Sequence, residues 1–385
     1  MAFSILMTGC ANTASQSNAS ASASTSASVE EQSTGSQEAT AAVDNNNLDY
    51  AKTFPSWNPK SESLKALVEF VKSATDESSD AYVAPEDRIA TFDMDGTIIC
   101  EKAPTYVDYM LLLNRVLDNP EYNEEGYKPS EETVRFCEGL RKTVLARESR
   151  SEEQSEGKAH LIASEFAGMT PAEFHKYVQS FLKSVDAVGF EGMTYGESFY
   201  KPMIEVINYL QANDFDVWMV SACEREFVRA AVPTVLDIPA DHIIGTDVAY
   251  NSTKQGDKAY DEYSMELGED ILLGEPLGQE TGETGKSIAI MREIGKRPVL
   301  AFGNSSGDYA MLNFAQSNPE HKGMGVLVLC DDVTREYGDE KRAAEQTEEA
   351  TKNGWTLFHM SDKDWATIYG DGVSKVEAEE LANAA

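Results

Sequence analysis

The chain has 385 residues, a length that allows one large domain or two smaller ones with a substantial core. Acidic residues number 66 against 32 basic ones, a net charge of −34. Such a surface repels nucleic acid and anionic membranes, because both are bound through clusters of Lys and Arg. The five cysteines show no C-x-x-C spacing and the five histidines do not cluster, which argues against a zinc site and a disulfide-rich scaffold.

The N-terminal segment, residues 1–47, is predicted to lie outside the folded core. Residues 11–47 are mostly Ser, Ala, Thr, Asn, Gln and Glu, with too few large apolar side chains for a core, and predict a disordered tether. The short apolar run before Cys10 resembles the end of a bacterial lipoprotein signal, in which the cysteine becomes lipid-modified. The usual basic region is missing and the apolar stretch is short. The resemblance implies a membrane-anchored extracytoplasmic protein, and the alternative is a cytoplasmic enzyme.

Residues 48–100 are predicted to form the first part of an α/β core. Apolar residues recur at helical spacing over residues 61–73, and an apolar run over residues 88–92 predicts a strand.

Two carboxylates, Asp93 and Asp95, follow this strand one residue apart and precede Gly96. Like charges this close raise each other's pKa. Such a pair is used either to bind a divalent cation or to divide the roles of nucleophile and acid or base. An exposed acidic turn is the alternative interpretation, since Asp and Gly are ordinary turn residues.

The block from 101 to 200 is predicted to be all-helical, because apolar residues recur at helical intervals and strand signals are missing. Thr170, Pro171 and Glu173 mark one helix start, with a capping residue, a proline in the first turn and an acid three residues after the cap. We interpret this block as an insertion between the first strand and the rest of the core.

Residues 201–385 are predicted to form the second part of the core, since helices alternate with short apolar runs. The predicted helices span residues 204–213 and 287–294, and the predicted strands lie at 217–220, 242–244, 298–302, 324–329 and 355–358. This alternation predicts a parallel sheet in a Rossmann-like three-layer α/β/α sandwich with right-handed crossovers. Ligands bind such sheets at the carboxyl ends of the strands.

Polar residues suited to a phosphate follow three of these strands. They are the Asp93–Asp95 pair, Ser221, and the loop over residues 303–308. Lys286 opens a helix, where its charge opposes the helix dipole, so an anion is expected nearby. Each feature alone could be a capping serine, a solvated lysine or a glycine loop. A phosphate site is favoured because all of these features occur in one chain and each is expected at the same edge of the sheet.

The ordered set D-x-D-G-T, strand-end serine, lysine and G-N-S-x-x-D is similar to the motifs of the haloacid dehalogenase (HAD) superfamily. The likeness is greatest to phosphoserine-phosphatase-like hydrolases with a helical cap after the first motif. It covers roughly residues 55–375 and includes Cys100-Glu101-Lys102 and Gly354-Trp355-Thr356. The resemblance implies the HAD fold, with residues 101–200 as the helical cap.

The resemblance also implies a phospho-aspartate mechanism. Asp93 would attack phosphorus, while Asp95 would protonate the leaving alkoxide and then take a proton from the attacking water. Dehalogenases of the superfamily lack the second aspartate and ion-pumping ATPases have threonine there, so Asp95 favours a phosphatase or phosphomutase. Ser221 would contact a phosphoryl oxygen, and Lys286 would offset the charge of phosphate and nucleophile.

Mg²⁺ is the cofactor that the resemblance implies, held by Asp93, the backbone carbonyl of Asp95, and Asn304 or Asp308. This hard cation prefers oxygen ligands and keeps several waters. Many relatives have aspartate where Asn304 stands, so Asp308 carries the only full charge of that motif.

Glu101 is a candidate for substrate contact. In phosphoserine phosphatases a cap glutamate contacts the substrate's amino group, but it stands one residue after the position that corresponds to Glu101. Lys102 occupies that position in this sequence. A solvated cap residue is the alternative interpretation of Glu101. Cys223 is interpreted as a small residue that fills space near Ser221.

We therefore expect a Mg²⁺-dependent phosphomonoesterase that acts on small phosphorylated metabolites. A phosphotransferase or phosphomutase with the same intermediate is one alternative, and a non-catalytic ligand-binding lipoprotein is another. The expected partner is a small phosphate ester. No nucleic acid or protein partner is expected, and membrane attachment is expected only through a lipid on Cys10.

Overall fold

The computed structural model describes residues 45–118, 127–277 and 281–383. Cys10 and nearly all of the predicted tether lie outside these ranges. Within the described ranges, no helix has both the length and the apolarity needed to cross a membrane.

Six parallel strands form the main sheet. In chain order the strands are β1 (Ile89–Phe92), β2 (Phe190–Glu191), β3 (Asp216–Glu224), β4 (Ile243–Thr246), β5 (Val248–Ser252), β6 (Ile271–Pro276), β7 (Leu300–Gly303), β8 (Met324–Leu329), β9 (Thr356–His359) and β10 (Ser374–Lys375). The main sheet has the order β4-β3-β1-β7-β8-β9, and all five pairs are parallel. β1 therefore lies inside the sheet, between β3 and β7, and the predicted parallel α/β architecture is confirmed.

The α-helices of the described residues are, in chain order, α1 (Tyr50–Thr53), α2 (Glu62–Thr75), α3 (Val107–Leu113), α4 (Glu131–Leu145), α5 (Glu152–Ser164), α6 (Pro171–Ser184), α7 (Lys201–Gln211), α8 (Arg225–Ala231), α9 (Thr284–Glu293), α10 (Tyr309–Gln316), α11 (Glu340–Asn353) and α12 (Ala378–Asn383). Several of them cover the two faces of the main sheet. Leu300 and Phe302 of β7 pack in one hydrophobic cluster with α2 and α7. Ala301 and Leu327 pack in a second cluster with α9, α10 and α11. Because successive strand residues point to opposite faces, the fold has three layers, as predicted.

The predicted core elements agree with the observed ones to within a few residues, apart from β3. This strand runs on to Glu224, because its pairing with β4 resumes after a register shift between Val220 and Glu224. Ser221 therefore lies within a strand, and the prediction that the strand ends at Val220 is wrong. The irregular pairing falls where β3 reaches the sheet edge, a usual position for a bulge that re-aims side chains toward a site.

The block from 101 to 200 contains α3 to α6 and one short strand. Thr170 caps α6 with a reciprocal capping box to Glu173, so the predicted helix start is confirmed. The strand is β2, which pairs antiparallel with β10. The expectation of no strand in this block is wrong here, because the partner strand lies far along the chain and leaves no local signal. That the block forms a separate cap stays a prediction.

A second unpredicted feature is the antiparallel hairpin of β5 and β6. Gly168 donates a backbone hydrogen bond to Leu273 O at 2.8 Å, and Leu273 donates to Met169 O at 2.8 Å. These two bonds attach the hairpin to the connection between α5 and α6.

Candidate active site

The carboxyl edge of the main sheet borders a cavity of about 200 Å³. The seven residues proposed from the sequence all line it, namely Asp93, Asp95, Glu101, Ser221, Lys286, Asn304 and Asp308. The structure thus brings together side chains that lie more than two hundred positions apart in sequence, such as those of Asp93 and Asp308. Their chemical roles stay predictions.

Asp93 is the first residue after β1, and its backbone N–H donates to Phe302 O at 2.9 Å. This bond continues the pairing of β1 with β7 by one residue and fixes the direction of the Asp93 side chain. The side chain is only 10% exposed, and Oδ1 lies 2.5 Å from Lys286 Nζ. The carboxylate is therefore held at the sheet edge by a buried ion pair.

Lys286 joins two carboxylates. Its Nζ also lies 2.7 Å from Asp308 Oδ1, and its side chain is 3% exposed. Burial lowers the pKa of Lys286, but the ion pairs with Asp308 and Asp93 outweigh it and leave the pKa raised. Lys286 is therefore a permanent buried cation and not a solvated lysine at a helix end.

Asp308 also organises the loop that follows β7. Its Oδ2 accepts the backbone N–H groups of Asn304 at 2.9 Å and Ser305 at 3.1 Å. A side chain on Gly303 would place its Cβ only 2.3 Å from the Asp308 Cβ. Glycine is therefore required at 303 for the carboxylate to fold back over its own loop.

Asn304 packs against the turn after the paired aspartates. Gly96 has φ +73°, and a Cβ there would lie 1.9 Å from Asn304 Nδ2. Gln346 Nε2 donates to Asn304 O at 2.6 Å, which holds the other side of the residue. The first and last motifs are thus in direct contact.

Ser221 and Cys223 approach Asp95 from β3. The Cys223 N–H donates to Ser221 Oγ at 3.1 Å, and Cys223 Sγ donates to Asp95 Oδ2 at 2.9 Å. The expectation that Cys223 merely fills space is therefore wrong. Burial, and then Asp108, raises the pKa of Asp95, which holds a proton on this carboxyl to higher pH.

Asp108 and Lys158 form an ion pair at the cavity that sequence reasoning missed. The Asp108 side chain is 1% exposed and that of Lys158 is 13% exposed. Asp108 is the only charged residue of α3, an otherwise apolar helix, and that contrast could have revealed it. Lys158 lies in a largely polar helix and gave no comparable signal.

Glu101 is buried and paired, so it is not a solvated residue. Arg342 Nη1 donates to Glu101 Oε1 at 2.9 Å, and Lys102 Nζ lies 3.9 Å from the same oxygen. One Glu101 oxygen is therefore already engaged by two cations.

The oxygen atoms around Asp93 fit a hard cation. Among the described residues, no group of three or more His, Cys, Asp or Glu side chains is placed to hold a metal ion. A Mg²⁺ site does not require three such side chains, because Mg²⁺ is usually bound by one or two carboxylates together with substrate oxygens and water. Asp93 and Asp308 supply two carboxylates, and Asn304 and the Asp95 carbonyl supply neutral oxygens. Burial and Asp308 raise the pKa of Asp93 to about 7 despite Lys286, so added positive charge would favour the ionised carboxylate.

The sequence matches one known family. A sequence model described as haloacid dehalogenase-like hydrolase matches residues 90–313, which is more than half of the chain and includes both the Asp93 and the Asp308 motifs. No curated protein matches the sequence at a significant level.

Several solved structures are similar at low identity. A conserved protein of unknown function from Anaerococcus prevotii is 14% identical, covering 78% of this chain and 91% of its own, with a TM-score of 0.45. A cytosolic 5'-nucleotidase IIIB bound to cytidine is 12% identical, covering 79% and 88%, with a TM-score of 0.42. A phosphoserine phosphohydrolase-like protein from Francisella tularensis is 11% identical, covering 67% and 92%, with a TM-score of 0.34. At these TM-scores the likenesses add nothing to the family match.

Proposed function

Because the chain belongs to the haloacid dehalogenase-like hydrolases, we propose that it is a Mg²⁺-dependent phosphomonoesterase acting on small phosphorylated metabolites. The observation that carries this proposal is the buried bridge of Lys286 between Asp93 and Asp308, beside Asp95, in one cavity. Lys286 is paired with two buried carboxylates and Asp95 lies in the same cavity, so the carboxylates outnumber the lysine. Buried charge of this kind is costly unless it is compensated, and a bound cation would compensate it and could also hold an anionic phosphate.

In the first step Asp93 Oδ attacks phosphorus, and the bond from phosphorus to the ester oxygen breaks. Asp95 gives its proton to the leaving oxygen, so an alcohol departs and the phosphoryl group remains on Asp93. Covalent catalysis of this kind replaces one difficult displacement by two easier ones. The hydrogen bond from Cys223 to Asp95 Oδ2 fixes the direction of the acid.

In the second step water attacks the phosphoryl group on Asp93. Asp95 takes a proton from that water, and inorganic phosphate leaves with the Asp93 carboxylate restored. The Ser221 hydroxyl donates a hydrogen bond to a non-bridging oxygen, and the Lys286 ammonium compensates the negative charge that builds up in both steps.

Mg²⁺ would be held by Asp93, Asp308, the Asn304 amide oxygen and the Asp95 carbonyl. When bound, the cation neutralises charge between the nucleophile and the dianionic phosphate. Asp308 must then share its carboxylate with Lys286 and with the backbone N–H groups that it accepts.

A screen of phosphate release tests the function. The panel contains phosphoserine, phosphocholine, sugar phosphates and nucleotides, each with Mg²⁺ present. We expect at least one class to be hydrolysed with catalytic turnover. Failure of the folded enzyme to release phosphate from any member would contradict the proposal.

Removal of the metal is expected to abolish turnover. With EDTA in excess, phosphate release should fall to background, and added Mg²⁺ should restore it, because Lys286 alone does not keep Asp93 fully ionised. EDTA already saturated with Mg²⁺ is the control and should not inhibit. Full turnover of metal-stripped enzyme in EDTA would refute the metal assignment.

We further propose that the protein is a lipoprotein anchored through Cys10. The support is the sequence around that residue, a short apolar run followed by a Ser- and Ala-rich stretch. Cells fed labelled palmitate should yield labelled protein, and Cys10→Ser should lose the label. Equal labelling of the two proteins would exclude Cys10 as the attachment site.

A further inference from the structure

Two carboxylate oxygens on the cavity wall lack hydrogen-bond partners within the described part of the chain. They are Oδ1 of Asp95 and Oδ1 of Asp108. An unpartnered buried carboxylate oxygen is costly, because it has given up its bonds to water. Asp95 is accounted for by its proposed proton transfer to the leaving group. Asp108 has no role in that mechanism and therefore needs a separate explanation.

The other oxygen of Asp108 is already engaged. Lys158 pairs with Oδ2, and Cys223 Sγ lies 3.5 Å from the same atom. Lys158 of α5 and Cys223 of β3 both contact Oδ2 and thereby fix the orientation of the Asp108 carboxylate, including Oδ1. A donor on the substrate would complete the hydrogen bonds of this carboxylate.

The charge around Asp108 favours an uncharged donor. Lys158 lines the cavity and already pairs with the Asp108 carboxylate. A substrate ammonium at Asp108 would therefore face a cation that is already in place. Neither a quaternary ammonium nor an ionised substrate carboxylate has a hydrogen to donate to Oδ1. A neutral hydroxyl avoids all three conflicts.

We propose that Asp108 is a specificity-determining residue whose Oδ1 accepts a hydrogen bond from a hydroxyl on the leaving group. The substrates are then phosphate esters of polyols or sugars. This inference rests on the proposed phosphatase function. Oδ1 is nearly closed to solvent in this structure, as is Asp95 Oδ1, and both residues line the cavity, so the proposal includes a local shift of side chains that admits the hydroxyl when the ester binds.

A matched series of esters tests the inference. Ethyl phosphate, ethylene glycol monophosphate and ethanolamine phosphate differ at one terminal group, and propyl phosphate with glycerol phosphate forms a longer pair. With Mg²⁺ present, kcat/KM of a hydroxyl ester should exceed that of its alkyl counterpart by about 10- to 100-fold, as expected for a hydrogen bond to a charged group. Relative to ethyl phosphate, kcat/KM should rise less for ethanolamine phosphate than for ethylene glycol monophosphate.

The residue is tested by the double variant Asp108→Leu, Lys158→Met, which removes both charges and leaves neither unpaired. The hydroxyl-to-alkyl ratio of kcat/KM should fall toward one, whereas a purely structural defect would lower both rates and keep the ratio. Asp108→Asn is the more conservative variant if the double variant does not fold, and it should also lower the ratio. Glu101→Gln tests the rival contact residue and should keep the ratio if Asp108 binds the hydroxyl, because one Glu101 oxygen is already bound by Arg342.

Three results would overturn the inference. They are hydrolysis of alkyl and hydroxyl esters at equal kcat/KM, a preference for the ammonium ester, and loss of the ratio in Glu101→Gln but not in the Asp108 variants. In each case the phosphatase proposal survives, because the esters are still hydrolysed. Hydrolysis of no ester would overturn the phosphatase proposal and this inference together.

Discussion

Replacing Asp93 by Asn is expected to lower kcat for phosphate esters by about 10⁴-fold or more, since an amide oxygen does not displace the leaving group from phosphorus. The substitution keeps the shape of the side chain. It also leaves Lys286 paired with Asp308 at 2.7 Å, so the fold should persist. Phosphate release is measured beside thermal unfolding of the same preparation.

The control for this experiment is Asp362→Asn, which makes the same chemical change at a side chain that is 96% exposed. Its kcat and its unfolding temperature should match those of the unaltered enzyme. A folded Asp93→Asn variant with near-normal kcat would show that a different group, or water itself, attacks phosphorus.

Replacing Lys286 by Met is expected to lower the free energy of unfolding by about 3–5 kcal/mol, because it leaves two buried carboxylates without their cation. Asp93 and Asp308 are 10% and 1% exposed at their side chains, so both carboxylates have lost most of their hydration and depend on the lysine. Urea denaturation at neutral pH gives the difference. The deficit should shrink in mild acid, since burial and Asp308 raise the pKa of Asp93, and protonation of Asp93 removes part of the uncompensated charge.

Lys65→Met is the matched control for the lysine substitution. Lys65 pairs with Glu62 at 2.7 Å, but the two side chains are 44% and 86% exposed. Exposed pairs of this kind contribute little, so the free energy of unfolding should change by no more than about 0.5 kcal/mol. If Lys286→Met unfolded at the same urea concentration as Lys65→Met, the buried bridge would not hold the site together.

The core and its polar edge could be predicted from the sequence because both leave local signals. Parallel strands buried on two faces appear as short apolar runs, as in β8, and the residues that follow them meet at one edge. Asp93 and Ser221 were found in this way, and Lys286 was found from its position at the start of a helix. Ser221 was predicted to follow the end of β3, but the strand continues past it through a bulge.

The remaining features depend on contacts that no local pattern encodes. β2 pairs with β10, which lies more than one hundred and eighty positions later in the chain, and both strands have two residues. Asp108 and Lys158 reach the cavity only because α3 and α5 pack beside β3. The identity of Asp108 as a buried acid in an apolar helix was visible, but its position beside Asp95 was not.

Trapping the phosphoryl group on the enzyme is the most direct test of the covalent mechanism. The enzyme, a hydrolysed ester and Mg²⁺ are mixed and quenched in acid within one turnover, and the peptides are examined by mass spectrometry. We predict one phosphoryl group, carried by the Asp93 side chain and absent from Asp93→Asn. A phosphoryl group on another residue, or none during rapid turnover, would contradict the mechanism.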